Sequence, residues 1–140
     1  MQPTNKIVHK SYTDGDVIIK EGDKGNNAYI IIKGNVRITQ SFNQQVITVG
    51  TLKEGEVFGE MGLISDAVRS ANISAIGDVI VGVINKEFFD IAMSDISEGM
   101  KPIILALVER LRTTTHLLTS IGAELKNTNE NINLILNGKK

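Results

Sequence analysis

The chain has 140 residues, a formal net charge of −1, and an ordinary mix of 41% hydrophobic and 22% charged residues, which suffices for one domain with a real core. That near-neutral balance lacks the basic footprint of nucleic-acid binding. No apolar run reaches the ~20 residues of a membrane-spanning helix, and the opening MQPTNKIVHK lacks the apolar core of a secretory signal. The sequence contains no cysteine, so disulfides and thiolate metal sites are excluded. A soluble protein of a reducing, cytoplasmic compartment is expected, and in that setting the Asn72-Ile73-Ser74 sequon is a chance match.

From about residue 7 to 84 the sequence reads as strands and turns. Val17-Ile18-Ile19, residues 28–32, Val36-Arg37-Ile38-Thr39, Val46-Ile47-Thr48-Val49, residues 71–75 and Val79-Ile80-Val81 are short and rich in β-branched residues. Turn signals separate them at Asp14-Gly15-Asp16, residues 21–27, Lys33-Gly34-Asn35, residues 53–56 and Ile76-Gly77-Asp78. Such spacing predicts a sandwich or barrel rather than a doubly wound sheet.

Beyond residue 85 the period changes. Residues 85–94 predict a short amphipathic helix capped by Asn85. A long helix is predicted over 99–126, with Pro102 in its first turn. Positions 104, 107, 111, 114, 118, 121, 125, 128, 132 and 135 alternate steps of three and four, and eight of these ten are Leu or Ile. That is a heptad seam. It is narrower than the usual core-facing stripe, and so favours a parallel homodimer over a helix packed on its own β domain. Gly122 and the run Asn127-Thr128-Asn129-Glu130-Asn131 are poor helix formers, so residues 127–140 are expected to form a tail.

The segment FGEMGLISDAVRSA, residues 58–71, mixes apolar residues with the carboxylate of Glu60 and the guanidinium of Arg69. Gly59 permits close approach of the backbone, and a short turn through Met61-Gly62-Leu63 would aim N–H groups at an anion. Arg69 supplies a planar fork matched to phosphate. Glu60 cannot bind an anion, but its carboxylate suits a sugar hydroxyl. Ser70 adds a hydroxyl and Ala71 a backbone N–H. Together these describe a sugar-phosphate site; the alternative is a structural Glu60–Arg69 ion pair.

The pattern Phe58-Gly59-Glu60-Met61-Gly62-Leu63-x5-Arg69-Ser70-Ala71 resembles the phosphate-binding cassette of the cyclic nucleotide-binding domain family. The likeness extends upstream through Gly15-Asp16-x3-Lys20-x-Gly22, Ala28-Tyr29-Ile30-Ile31-x2-Gly34-x-Val36 and Leu52-x2-Gly55-x2-Phe58, and covers roughly residues 7–120. It implies a mainly β fold with C-terminal α: a jelly-roll-like β-roll, a short helix and a long dimerisation helix, in a single domain over 1–140. It further implies that Glu60 accepts the ribose 2′-hydroxyl, that Gly59 and Ala71 offer backbone contacts, and that Arg69 neutralises the cyclic phosphate. Ser70 would touch phosphate or, in cyclic-GMP binders, guanine. Ile47 and Val57 would be wall positions. Thr114 and Thr115 match the helix hydroxyls that reach adenine in bacterial cAMP receptor proteins. Val68 replaces a proline common before the arginine, and the N-terminal helix of the family is short or missing here.

The resemblance implies a non-enzymatic sensor without cofactor, whose ligand is cAMP ahead of cGMP. It would act as a homodimer on an unidentified effector, because no output domain follows the long helix. The alternatives are a ligand-silent dimeric interaction module and a cupin-type metal barrel. The latter is disfavoured by having only His9 and His116. A DNA-binding regulator is disfavoured by the missing reading helix.

Overall fold

Residues 7–65 and 68–138 are described by the computed structural model. In chain order the elements are β1 (Val8–Tyr12), β2 (Val17–Ile19), β3 (Ala28–Phe42), β4 (Gln45–Leu52), β5 (Val57–Phe58), α1 (Met61–Ile64), β6 (Asn72–Ile84), α2 (Lys86–Ser94) and α3 (Lys101–Asn137). This is the mainly β class with C-terminal helices that the sequence predicts.

The two longest strands, β3 and β6, lie side by side at the centre, in the order β1-β6-β3-β4, with β2 added to β6 and β5 to β3. Every pairing is antiparallel. Central position explains their composition. Ile31 and Val36 on β3 and Val79 and Val81 on β6 are the largest fully buried side chains. Tyr29 and Phe58 stack across the β3–β5 pair with ring centroids 5.1 Å apart. That stack anchors the strand leading directly into Gly59, so the core reaches the cassette through one residue.

Two expected turns prove to be irregularities inside continuous strands. Lys33-Gly34-Asn35 lies within β3 and Ile76-Gly77-Asp78 within β6. The β3–β6 register shifts between Ile31 and Lys33 and again between Lys33 and Asn35, across Gly34, and Gly34 and Gly77 have φ of 94° and 64°. Glycine here absorbs a local kink of the ladder instead of reversing the chain. The reversal that the sequence does not flag is Asn43-Gln44, both at positive φ. It closes the β3–β4 hairpin by joining Phe42 to Gln45.

The α2 helix begins as predicted. The side chain of Asn85 accepts a 2.7 Å hydrogen bond from the Phe88 N–H. The α3 helix starts with proline in its first turn but runs to Asn137 rather than ending at 126. Residues 127–137 are therefore helix, not tail. The polar residues there do not compete with the helix: Thr128 donates its hydroxyl to the Glu124 carbonyl at 3.0 Å, as Ser120 does to His116 at 3.1 Å. Propagation costs little once a helix is nucleated.

The chain also divides into two compact units, one ending at Ser97 and one beginning at Glu98, where the sequence suggests a single domain. A 37-residue helix, ~55 Å long, makes most of its contacts within itself. In the second unit the seam residues Leu107, Leu111, Leu118, Ile121, Leu125, Ile132 and Ile135 are all exposed in the single chain.

Candidate ligand-binding site

The segment 58–71 starts in the core and ends at β6. Phe58 is buried; Gly59 then turns at φ 73°, and α1 follows for a single turn. That φ favours glycine, and a Cβ there would also lie 2.9 Å from Ile19 Cδ1, 3.1 Å from Arg69 Nη1 and 3.2 Å from the Asn27 carbonyl oxygen. Within the turn, the Gly62 and Leu63 N–H groups donate to the Gly59 and Glu60 carbonyls at 3.1 and 3.0 Å. These two donors are occupied locally rather than presented outward, contrary to the sequence expectation.

Arg69 is half-buried and is held at both its main chain and its side chain. Its N–H donates to the Asp23 carbonyl and its carbonyl accepts from the Gly22 N–H, both at 2.8 Å, which extends the β2–β6 pairing into the turn at 20–25. Its Nη1 donates to the Gly59 carbonyl at 2.9 Å and its Nη2 to the Asn27 carbonyl at 2.6 Å. The surroundings are built from glycine. A Cβ on Gly25 would lie 2.8 Å from Nη2, and one on Gly62 2.8 Å from Nη1.

Both side-chain acceptors are neutral carbonyls. Arg69 therefore does not pair with Glu60, and among the described residues the only ion pair is Arg112–Glu109, 2.7 Å apart on α3. The structural ion pair considered from sequence is replaced by a cation whose charge no described carboxylate balances. A guanidinium carries five N–H donors, so the two carbonyls orient it without exhausting it. Glu60 is exposed at the N-terminal end of α1 with backbone angles of −61° and −28°. Its carboxylate makes no hydrogen bond or ion pair among the described residues.

Gly59, Glu60, Met61, Arg69, Ser70 and Ala71 thus lie along one continuous stretch, with Met61 and Ala71 half-buried and Ser70 exposed. Thr114 and Thr115 belong to the second unit: Thr114 is exposed on α3, and the Thr115 side chain lies outside the described residues. Val57 is exposed and faces away from the Tyr29–Phe58 stack, because strand neighbours alternate sides. Ile47 is cross-strand from Gln40 and shares its face. His9 is on β1 and His116 on α3. Among the described residues no three His, Cys, Asp or Glu side chains gather as metal ligands.

Sequence reasoning missed four participants. Asn27 and Asp23 act through carbonyls, which every residue type has, so no signal marked them. Asn72 accepts from the Glu21 N–H at 2.8 Å, and Gln40 Nε2 donates to the Ser70 carbonyl at 3.0 Å. A polar residue on the core-facing row Val36-x-Ile38-x-Gln40 was the available clue.

Comparison with known proteins places the chain in a family. The family model described as cyclic nucleotide-binding domain matches residues 9–95. Human cGMP-dependent protein kinase 2 is 45% identical over 93 residues, covering 64% of this chain and 12% of the kinase. A Candida albicans cAMP-dependent protein kinase regulatory subunit is 34% identical over 90 residues, covering 64% of this chain and 19% of the subunit. This chain thus spans less than a fifth of either relative. Among solved structures, the half-site-occupied form of the EAL enzyme Bd1971 superposes with a TM-score of 0.74 at 33% identity, covering 79% of this chain and 99% of that one. The cAMP-bound and cGMP-bound forms of the same enzyme superpose with TM-scores of 0.62 and 0.63 at 30% and 31% identity, each covering 94% of this chain and 35% of that one.

Proposed function

The chain belongs to the cyclic nucleotide-binding domain family, and on that premise we propose that it is a cytoplasmic sensor that binds cAMP at the cassette and relays occupancy through α3. The observation that carries the reading is Arg69. Its guanidinium is fixed by two neutral carbonyls and faces no described carboxylate. A cation pre-oriented in this way favours an anionic partner, and a charge-assisted bond to phosphate is stronger than a neutral one. Glu60, whose carboxylate at the start of α1 is unengaged among the described residues, supplies the acceptor for the ribose 2′-hydroxyl. Gly59 and Ala71 let the backbone come close to the sugar phosphate.

The relay runs through a homodimer. The exposed heptad seam of α3 supports a parallel pair of helices. Thr114 holds a seam position, so the one of the two threonines on the seam would also face the partner. Differential affinity of nucleotide for two arrangements of the pair would bias them and signal to an effector.

A second reading, cGMP as the ligand, is favoured by Ser70. Its carbonyl is held by Gln40 while its residue stays exposed, which leaves a hydroxyl next to Arg69 for guanine. The similarity to cGMP-dependent protein kinase 2 points the same way. Equilibrium dialysis of protein stripped of nucleotide by denaturation and refolding tests the proposal. cAMP should bind with one site per chain, linear 5′-AMP should bind far more weakly, and retention of neither nucleotide would return the chain to the ligand-silent interaction module.

A further inference from the structure

We propose that Gln40, at the distal end of β3, is the positioning residue that sets the cAMP-to-cGMP selectivity of the cassette; the inference rests on the nucleotide-binding reading above. The β3–β6 ladder ends at the pair Thr39–Asn72. Beyond it the chain departs from β3 toward the turn at 20–25, where Arg69 is fixed by Gly22 and Asp23. Ser70 therefore sits between two anchors. One is the main-chain pairing of Arg69. The other is the Gln40 side chain, which donates to the Ser70 carbonyl at 3.0 Å and bridges the gap the ladder leaves.

The position of Gln40 follows from strand alternation. Val36 is fully buried and Ile38 packs on the core, so residue 40 falls on the same face of β3. The register shift near this point occurs between Ile38 and Thr39, where the partner strand passes from Gly50 to Thr48 and skips Val49. The extra residue is on β4, so the alternation of β3 is unbroken. A polar side chain at the end of an apolar row is satisfied by one carbonyl, and that carbonyl belongs to the residue after the phosphate-binding arginine. Ile47 lies directly across from Gln40, giving an aliphatic neighbour on the same face. The hairpin is tied to the turn independently: the Ser41 N–H donates to Glu21 Oε2 at 3.1 Å, and the Glu21 N–H to Asn72 Oδ1 at 2.8 Å. Loss of the Gln40 amide should consequently free Ser70 without undocking the hairpin or moving Arg69.

The two anchors divide the labour. Arg69 serves the cyclic phosphate common to both nucleotides, whereas the Ser70 hydroxyl is the group that can distinguish the bases. Gln40→Met, close in size and without a donor, should lower cGMP affinity about two- to tenfold, the range expected for one hydrogen bond, while cAMP affinity changes less than about twofold. The full chain is titrated with each nucleotide as wild type, Gln40→Met, Ser70→Ala and the double variant. In the Ser70→Ala background the effect of Gln40→Met on the affinity ratio should vanish, because the two residues act in series. Gln40→Arg, which restores a donor of similar reach, should recover much of the wild-type ratio. An unchanged ratio, equal loss for both nucleotides, or a Gln40→Met effect that persists without the Ser70 hydroxyl would each overturn the role of Gln40. Wild-type protein that binds cAMP but no measurable cGMP also overturns it. Wild-type protein that binds neither shows instead that the nucleotide reading itself has failed.

Discussion

The guanidinium of Arg69 reaches the main-chain carbonyl of Asn27, 42 residues earlier in the chain, with Nη2 donating at 2.6 Å. This contact joins the end of the cassette to the start of β3, the strand that carries the core. A charged group is thereby placed by the most heavily packed element of the fold. It is not placed by an ion pair with Glu60.

Replacing Arg69 should separate binding from folding. Arg69→Ala removes the phosphate partner and should weaken nucleotide binding at least about 100-fold, since hydrogen bonds to charged groups are each worth about 1.5–3 kcal/mol. Arg69→Lys keeps the charge but loses the fork, and should fall between Ala and wild type. The carbonyls of Asn27 and Gly59 also lose their donors, so urea denaturation should show a loss of about 1–2 kcal/mol. Binding within a few-fold of wild type for Arg69→Ala would remove Arg69 from the site.

Two glycine substitutions should behave differently. The atoms nearest a Cβ on Gly25 belong to the far end of the Arg69 side chain, with Nη2 at 2.8 Å and Nε at 3.0 Å. Gly25→Ala should therefore push the guanidinium aside, lower affinity about tenfold, and leave the melting temperature nearly unchanged. At Gly59 the φ of 73° and the Ile19 Cδ1 atom 2.9 Å from a Cβ make alanine a folding problem. Gly59→Ala should cost at least about 1–2 kcal/mol of stability from the backbone conformation alone. Thermal melts run beside titrations distinguish the two, and the account is wrong if their order is reversed.

Glu60 is tested through the ligand. If its carboxylate accepts the ribose 2′-hydroxyl, Glu60→Ala should weaken cAMP about tenfold or more and leave 2′-deoxy-cAMP almost unaffected. Competition titrations of both nucleotides against both proteins form a double-mutant cycle across the interface. Equal losses for the two nucleotides would place Glu60 outside the sugar contact.

Much of this was legible in the sequence. β-branched runs marked the strands, Asn85 marked its helix, and the heptad seam of α3 showed in the spacing of Leu and Ile. The strand irregularities were not legible, because glycine serves a bulge and a reversal equally well; Lys33-Gly34-Asn35 read as a turn and is a kink in β3. The extent of α3 was hidden by Asn127–Asn131, whose weak propensities are overridden by helix propagation. At the proposed site, Glu60, Arg69 and Ser70 could be named because their side chains carry a chemical signature and match the family's pattern. Main-chain acceptors at Asn27 and Gly59 were invisible, since a carbonyl carries no mark in sequence.

The extra helix length gives a prediction about assembly. The seam continues through Ile132 and Ile135, both exposed in the single chain. Leu118→Asp with Leu125→Asp should shift sedimentation equilibrium toward monomer by at least about 100-fold, because burying one leucine is worth about 1.5–3 kcal/mol. Ending the chain at residue 126 should weaken self-association by a smaller factor. A wild type that sediments as a monomer at high micromolar concentration would remove the helix pair from the relay.

Arg69, pre-oriented by two carbonyls and paired with no described carboxylate, is the residue proposed to make the cassette a cyclic nucleotide site. Isothermal titration of nucleotide-free wild type and Arg69→Ala with cAMP, followed by cGMP, tests that role most directly. Wild type should bind saturably at one nucleotide per chain, and the variant should lose nearly all binding. Absence of heat and of competition by either nucleotide in a wild type shown to be folded and ligand-free would contradict that role.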